Sequence, residues 1–317
     1  MPSFFLFIVL YIISFFFVLG CNDWFLLWLS LEINMISFIM LIYKRYDLYN
    51  LESCYKYFFI QSMSSAFFLS LLFFNSFKMS FLVLMLLSLK IGAGPFFFWF
   101  PSVVKGINWI SGFLLMTFQK IIPLLIMSMF IGSLLWLIGI MSLLIGVFGS
   151  FNQINIKELM AYSSVHHLGW IISCMMIDNM YWFMYLFVYG MMLAGVIYVL
   201  IDEEIINLIM INKIKGKWWF LLSMMSMGGM PPLLGFFLKM VTLYYIFMLD
   251  IFYVMFLLLM SVIMFYVYIR MLYDIMMGYK YEVMWSMNIM SKNYYKKDYF
   301  SFIGILLMMM LGLLMLF

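Results

Sequence analysis

Charge is the first thing this sequence lacks. Of its 317 residues only 9% are Asp, Glu, Lys or Arg, against about 25% in soluble proteins. A soluble domain of this length could not cover its surface with so few charges. The three cysteines, Cys21, Cys54 and Cys174, show no C-x-x-C spacing, which excludes a disulfide scaffold. Only His166 and His167 are histidines. As neighbours on a helix they project about 100° apart, so neither a chelated metal nor a haem is expected. No Ser–His–Asp constellation or paired-carboxylate site suggests a soluble enzyme. The net charge of +4 is spread along the chain, with no footprint for nucleic acid. Met1 to Leu19 has no basic n-region and no small-residue cleavage site, so no presequence is expected.

What is present is apolar. Hydrophobic residues make up 68% of the chain and the mean hydropathy is +1.14. That composition belongs in a bilayer. There are 37 Met, 37 Phe and 22 Tyr, yet only four Ala and two Arg. Packing alone does not explain scarce alanine, which is common in membrane helices. A/T-rich codons, with ATA read as methionine, would produce this bias. The expectation is an organelle-encoded protein of the mitochondrial inner membrane.

A spanning helix needs about 20 mostly apolar residues. Polar breaks delimit candidates at 3–20, 24–43, 55–74, 79–100, 110–130, 133–150, 159–177, 181–201, 218–247, 252–270 and 300–317. The predicted fold class is therefore an all-α polytopic membrane protein of eleven spans. Uninterrupted apolar runs exclude a transmembrane β-barrel. Thirteen Lys and Arg lie in loops after even-numbered spans, and only Lys78 follows an odd-numbered one. By the positive-inside rule the N-terminus faces the matrix and the C-terminus the intermembrane space. The polar tract 271–299 reads as a lateral surface helix or a docking loop or, more simply, as a solvated basic loop.

Four ionisable residues fall inside spans: Glu32, Lys90, Lys120 and Lys239. Each opposes insertion by about 2.5–3.5 kcal/mol. One buried Glu–Lys pair could simply lock two helices together. One acid against three bases is harder to assign to mutual neutralisation. Lysine suits proton carriage, because lost hydration disfavours its charged form and a nearby carboxylate favours it.

Two of the lysines sit beside helix breaks. The fourth span carries Lys90 before Gly94 and Pro95, and the ninth carries Gly229, Pro231 and Pro232 before Lys239. Proline cannot close its helical hydrogen bond. Each break alone could be a packing kink. Together they occupy the fourth position in two sets of five spans that enter the membrane from opposite sides. The organisation read from this is one domain, 1–317, with inverted halves 1–130 and 133–270, the tract 271–299 and a last helix 300–317. Matched broken helices in inverted halves point to a transporter.

Five motifs then align in order. They are Leu31-Glu32-Ile33-Asn34-Met35; Leu89-Lys90 through Pro95 to Trp99 and Pro101; Thr117 through Gln119-Lys120 to Pro123; Met160 through His166-His167 to Trp170; and Gly228 through Pro232 with Gly235, Phe236 and Lys239. The chain resembles the antiporter-like membrane subunits of NADH:ubiquinone oxidoreductase, respiratory complex I. The resemblance implies two inverted five-helix bundles and a polar axis at the membrane midplane. It implies that Glu32 and Lys90 pair in a first half-channel, that Lys120 and His167 connect, and that Lys239 serves a second. It implies partners among the other membrane-arm subunits, antiporter-like ones included, and lipids around them. No cofactor is implied in this chain; FMN, iron–sulfur clusters and ubiquinone sites would belong to other subunits. The motifs depart from the family pattern at Phe97, where His is common, at Ser102, where Glu is, and at Leu238, where proline is. A subunit of a cation/proton antiporter and a non-pumping scaffold remain as alternatives.

Overall fold

In lipid a backbone must satisfy its own polar groups, and uninterrupted Leu, Ile, Phe and Met runs do so as helices. The computed structural model describes residues 2–20, 23–73, 80–130, 132–177, 180–201, 216–231 and 233–282. Pro232, residues 202–215, the tract beyond 282 and the expected last helix 300–317 lie outside the described residues.

Among the described residues the regular structure is α-helix joined by turns and short loops, without a β-strand. In chain order they form α1 (Pro2–Gly20), α2 (Trp24–Ile42), α3 (Leu48–Phe73), α4 (Ser80–Ile91), α5 (Trp99–Gly106), α6 (Trp109–Met116) and α7 (Phe118–Ser128). There follow α8 (Ser133–Ser150), α9 (Ile156–Met175), α10 (Tyr181–Ile201), α11 (Lys217–Gly228), α12 (Leu234–Phe247) and α13 (Ile251–Glu282). Six stretches are long and apolar enough to cross a membrane: α2, α3, α6 with α7, α8, α10 and most of α13.

The fourth and ninth spans, read as broken, are both interrupted: α4 ends at Ile91 and α5 starts at Trp99, while α11 ends at Gly228 and α12 starts at Leu234. Helices and expected spans differ in three other places. The span 110–130 is interrupted at Thr117, whose ψ of −76° and side-chain bond to the Phe113 carbonyl close α6 before α7 begins. Helix α3 starts at Leu48 instead of 55. Its added turns carry the exposed pair Glu52–Lys56, four residues apart and 2.5 Å between charges, a spacing that supports helix in water. Helix α13 runs on to Glu282, so 271–282 is helix and not the solvated loop favoured for it. Met, Leu, Ile and Tyr dominate that stretch, and none of them stops a helix.

Contacts divide the chain into two compact units. The first holds 1–146 and 157–179. In it α3 packs on α2, α4 and α5, while α7 packs on α2, α4 and α6. Helix α3 is built inside out. Asn50, Ser53, Tyr57, Gln61, Ser64 and Ser65 are buried, whereas Tyr55, Phe58, Phe59 and Phe67 are exposed. The second unit holds 147–156 and 180–317. There α11 packs on α10, α12 and α13. Its outer apolar surface includes Phe187, Met255, Leu259 and Val262.

Candidate functional site: buried lysines beside broken helices

Both broken helices end in the same way. In α4, Gly92 has φ +73°; its N–H donates to Leu89 and that of Ala93 to Ser88. In α11, Gly229 has φ +84°; its N–H donates to Ser226 and that of Met230 to Met225. These are Schellman closures, in which glycine takes the left-handed conformation that side chains resist. The first break therefore begins at Gly92 and runs to Phe98, with Gly94 and Pro95 inside it. Gly94 also matters for packing. A Cβ there would lie 2.6 Å from the backbone of Met141 and Ser142, so its bareness lets α8 approach. The second break falls at Gly229, and Pro231 follows it in the exposed turn.

Breaking α4 frees its last carbonyls, and neighbouring side chains take them up. Gln61 of α3 donates Nε2 to the Lys90 carbonyl at 2.8 Å. The Trp99 indole of α5 donates to the Leu89 carbonyl at 3.0 Å.

The Lys90 side chain, 6% exposed, and that of Lys120, 2% exposed, line one cavity in the first unit. Lysine is almost never buried so deeply without a purpose or a partner. Asn34, Tyr57, Gln61, Trp99, Phe100 and Gln119 share the walls. About 20 Å³ of it is open to the centres of water molecules, more than the 10–15 Å³ or so that one water needs. Three polar side chains join across the wall. Gln119 donates Nε2 to Asn34 Oδ1 at 3.0 Å, and the Tyr57 hydroxyl donates to Gln119 Oε1 at 3.4 Å.

Lys120 is positioned by two groups. Its Nζ lies 4.8 Å from the centre of the Phe100 ring and 3.4 Å from the Ser164 carbonyl of α9. The first distance suits a cation–π contact; the second is long for a hydrogen bond. Glu32, on α2, is half-buried, and Lys90, on α4, is buried. The two close no ion pair within 4.0 Å.

Helix α9 carries both histidines, each fully buried. The Trp170 indole donates to His166 Nε2 at 3.3 Å, so that nitrogen is unprotonated and a neutral His166 carries its proton on Nδ1. The His167 ring stands 5.7 Å away at 74°. In the second unit, Lys239 of α12 is 8% exposed and folds back over Gly229 to donate Nζ to the Gly228 carbonyl at 2.8 Å.

Sequence reasoning identified the charged groups and missed the amide and hydroxyl wall. The usable signal was the polar stripe of α3, whose spacing of three and four places Asn50, Ser53, Tyr57, Gln61 and Ser64 on one face.

A family model described as NADH:quinone oxidoreductase/Mrp antiporter, transmembrane, matches residues 71–266. The chain belongs to that family. It is 38% identical over 251 residues to NADH-ubiquinone oxidoreductase chain 2 of Anopheles gambiae, covering 73% of each chain. It is 32% identical to that of Aedes aegypti, covering 87% of this chain and 86% of the relative. Among solved structures it is similar to a chain of respiratory complex I from Thermus thermophilus, with a TM-score of 0.81 at 20% identity, covering 99% of this chain and 78% of that one. A chain of the Mrp complex from Dietzia sp. gives 0.72 at 15% identity, covering 86% and 59%. Those two chains thus share its all-helical fold.

Proposed function

We propose that this chain is a membrane-arm subunit of complex I in the mitochondrial inner membrane, contributing to proton translocation coupled to electron transfer from NADH to ubiquinone. The names of its relatives support the assembly, and the cavity shared by Lys90 and Lys120 supports the chemistry. In this reading the chain has eleven spans in inverted halves, with the N-terminus in the matrix and the C-terminus in the intermembrane space. Its partners are the other membrane-arm subunits and surrounding lipid. It holds no cofactor of its own; flavin, iron–sulfur and quinone sites lie elsewhere in the complex.

The proposed path uses Glu32, Lys90, Lys120 and His167 in the first unit and Lys239 in the second. A lysine in a cavity just large enough for water can gain or lose a proton as the field around it changes, with no covalent step. In this reading Glu32 supplies part of that field to Lys90. Phe100 and the Ser164 carbonyl favour charge on Lys120.

Replacing Lys90 or Lys120 with Met in the assembled complex tests this reading. The expected result is normal assembly with fewer protons moved per NADH oxidised. Unchanged pumping would instead assign a scaffold role. Sodium-dependent proton exchange without NADH oxidation would favour a cation/proton antiporter, a reading to which the fold's likeness to the Mrp complex lends support.

A further inference from the structure

Gln119 carries no charge, precedes Lys120 in sequence, and faces the same cavity. Its amide uses both ends. Nε2 donates to Asn34 on α2, two residues beyond Glu32, while Oε1 accepts from Tyr57 on α3. Tyr57 itself is buried, with its ring against Phe38 at 5.3 Å and Trp99 at 5.9 Å. One turn further along α3, Gln61 holds the carbonyl of Lys90. Polar groups thus line one cavity wall from the peptide of Lys90 to the residue before Lys120. Pro123, which also lines the cavity, withholds from the Gln119 carbonyl the N–H donor that the next turn of α7 would supply.

We infer that Gln119 is a positioning residue: its paired bonds to Asn34 and Tyr57 fix the direction of the polar wall, which orients water in the cavity so that protons pass between Lys90 and Lys120. This rests on the proton-path reading above. In one transfer the Lys90 ammonium gives a proton to a water oxygen as that water gives one of its own to the Lys120 amine. Lys90 ends neutral, Lys120 ends charged and the water is regenerated; the reverse step balances equally. The amide neither gains nor loses a proton. It has a fixed donor end and a fixed acceptor end, and both are set by bonds that a leucine of similar reach could not make.

The test uses the assembled complex carrying Gln119→Leu, Tyr57→Phe or both, with Lys120→Met as reference. Tyr57→Phe removes one oxygen and keeps the ring, so it carries the test if Gln119→Leu fails to assemble. The readouts are proton movement per NADH oxidised and the effect of deuterium oxide on the initial pumping rate. Both single variants are expected to slow pumping about three- to tenfold and to enlarge the deuterium effect. The double variant is expected to resemble the more severe single one, because the residues act in one chain. Wild-type pumping and deuterium effect in Tyr57→Phe and in any assembled Gln119→Leu complex, while Lys120→Met lowers pumping, would overturn the role of Gln119 alone. Unchanged pumping in Lys120→Met would overturn the proton-path reading and this inference with it.

Discussion

The Lys239 ammonium reaches back across Gly229 to the carbonyl of Gly228, closing the end of α11 with a charge from α12. A Cβ on Gly229 would lie 3.0 Å from Lys239 Cδ and 3.1 Å from Nζ, in a backbone conformation that L-residues resist. Gly229→Ala is expected to destabilise the complex by about 1–2 kcal/mol from backbone strain alone and to displace Lys239. Gly229→Asn should recover part of the stability, because asparagine tolerates this conformation. Thermal dissociation of the solubilised complex checks the first effect, and proton movement per NADH the second.

The ring of Phe100 faces the Lys120 ammonium. A desolvated contact of this kind contributes up to about 2 kcal/mol. Phe100→Leu keeps an apolar side chain and removes the negative ring face. The ammonium then loses that contact, so pumping is expected to fall. Phe100→Tyr keeps a ring face over the ammonium and should pump as wild type does. Recording proton movement per NADH oxidised in both variants settles whether the ring acts electrostatically or only fills space.

Two lysines at the same end of α9 should differ sharply. Lys105 pairs with Glu158 at 2.7 Å, but its side chain is 58% exposed, so Lys105→Ala should cost no more than about 1 kcal/mol. Lys157 donates to the Ile107 carbonyl at 2.6 Å and lies 5.6 Å from the Trp109 ring. Lys157→Met removes a charged donor from a carbonyl and should cost about 1.5–3 kcal/mol. Comparative thermal dissociation of the two variants gives the order.

Gln61→Met should loosen the first break. The substitution keeps length and burial but leaves the Lys90 carbonyl without its donor, at a cost of about 1–3 kcal/mol. Hydrogen exchange of the amides from Gly92 to Trp99 is expected to accelerate, while α1 is unaffected. Equal exchange throughout would mean that Trp99 alone holds the end of α4.

Residues that are costly in lipid were the legible ones. Glu32, Lys90, Lys120 and Lys239 stood out because a charge within an apolar run demands a reason. The Gly229 turn was readable for a related reason, since Gly-Gly next to Pro-Pro disrupts any helix. Gln61, Tyr57, Asn34 and Gln119 were not legible as a group. An amide or hydroxyl is tolerated at many helix positions, and only the packing of α2, α3 and α7 brings these four to one cavity. Gly92 was hidden by the stronger punctuation of Gly94 and Pro95 two residues later. Thr117 was hidden because its local bond to Phe113 leaves no trace in hydropathy. Likewise the ends of α3 and α13 extend past the apolar runs, where hydropathy stops reporting but helix propensity continues.

The two breaks share a backbone closure but differ in what covers it. Neutral donors, an amide and an indole, cover the end of α4. A titratable ammonium covers the end of α11. The first joint is thus electrically insulated: its carbonyls keep the same donors whether the lysine beside them is charged or neutral. The second is wired to the charge it carries, because a proton leaving Lys239 weakens the cover on Gly228. One turn geometry therefore gives a fixed bearing in one unit and a charge-sensitive contact in the other.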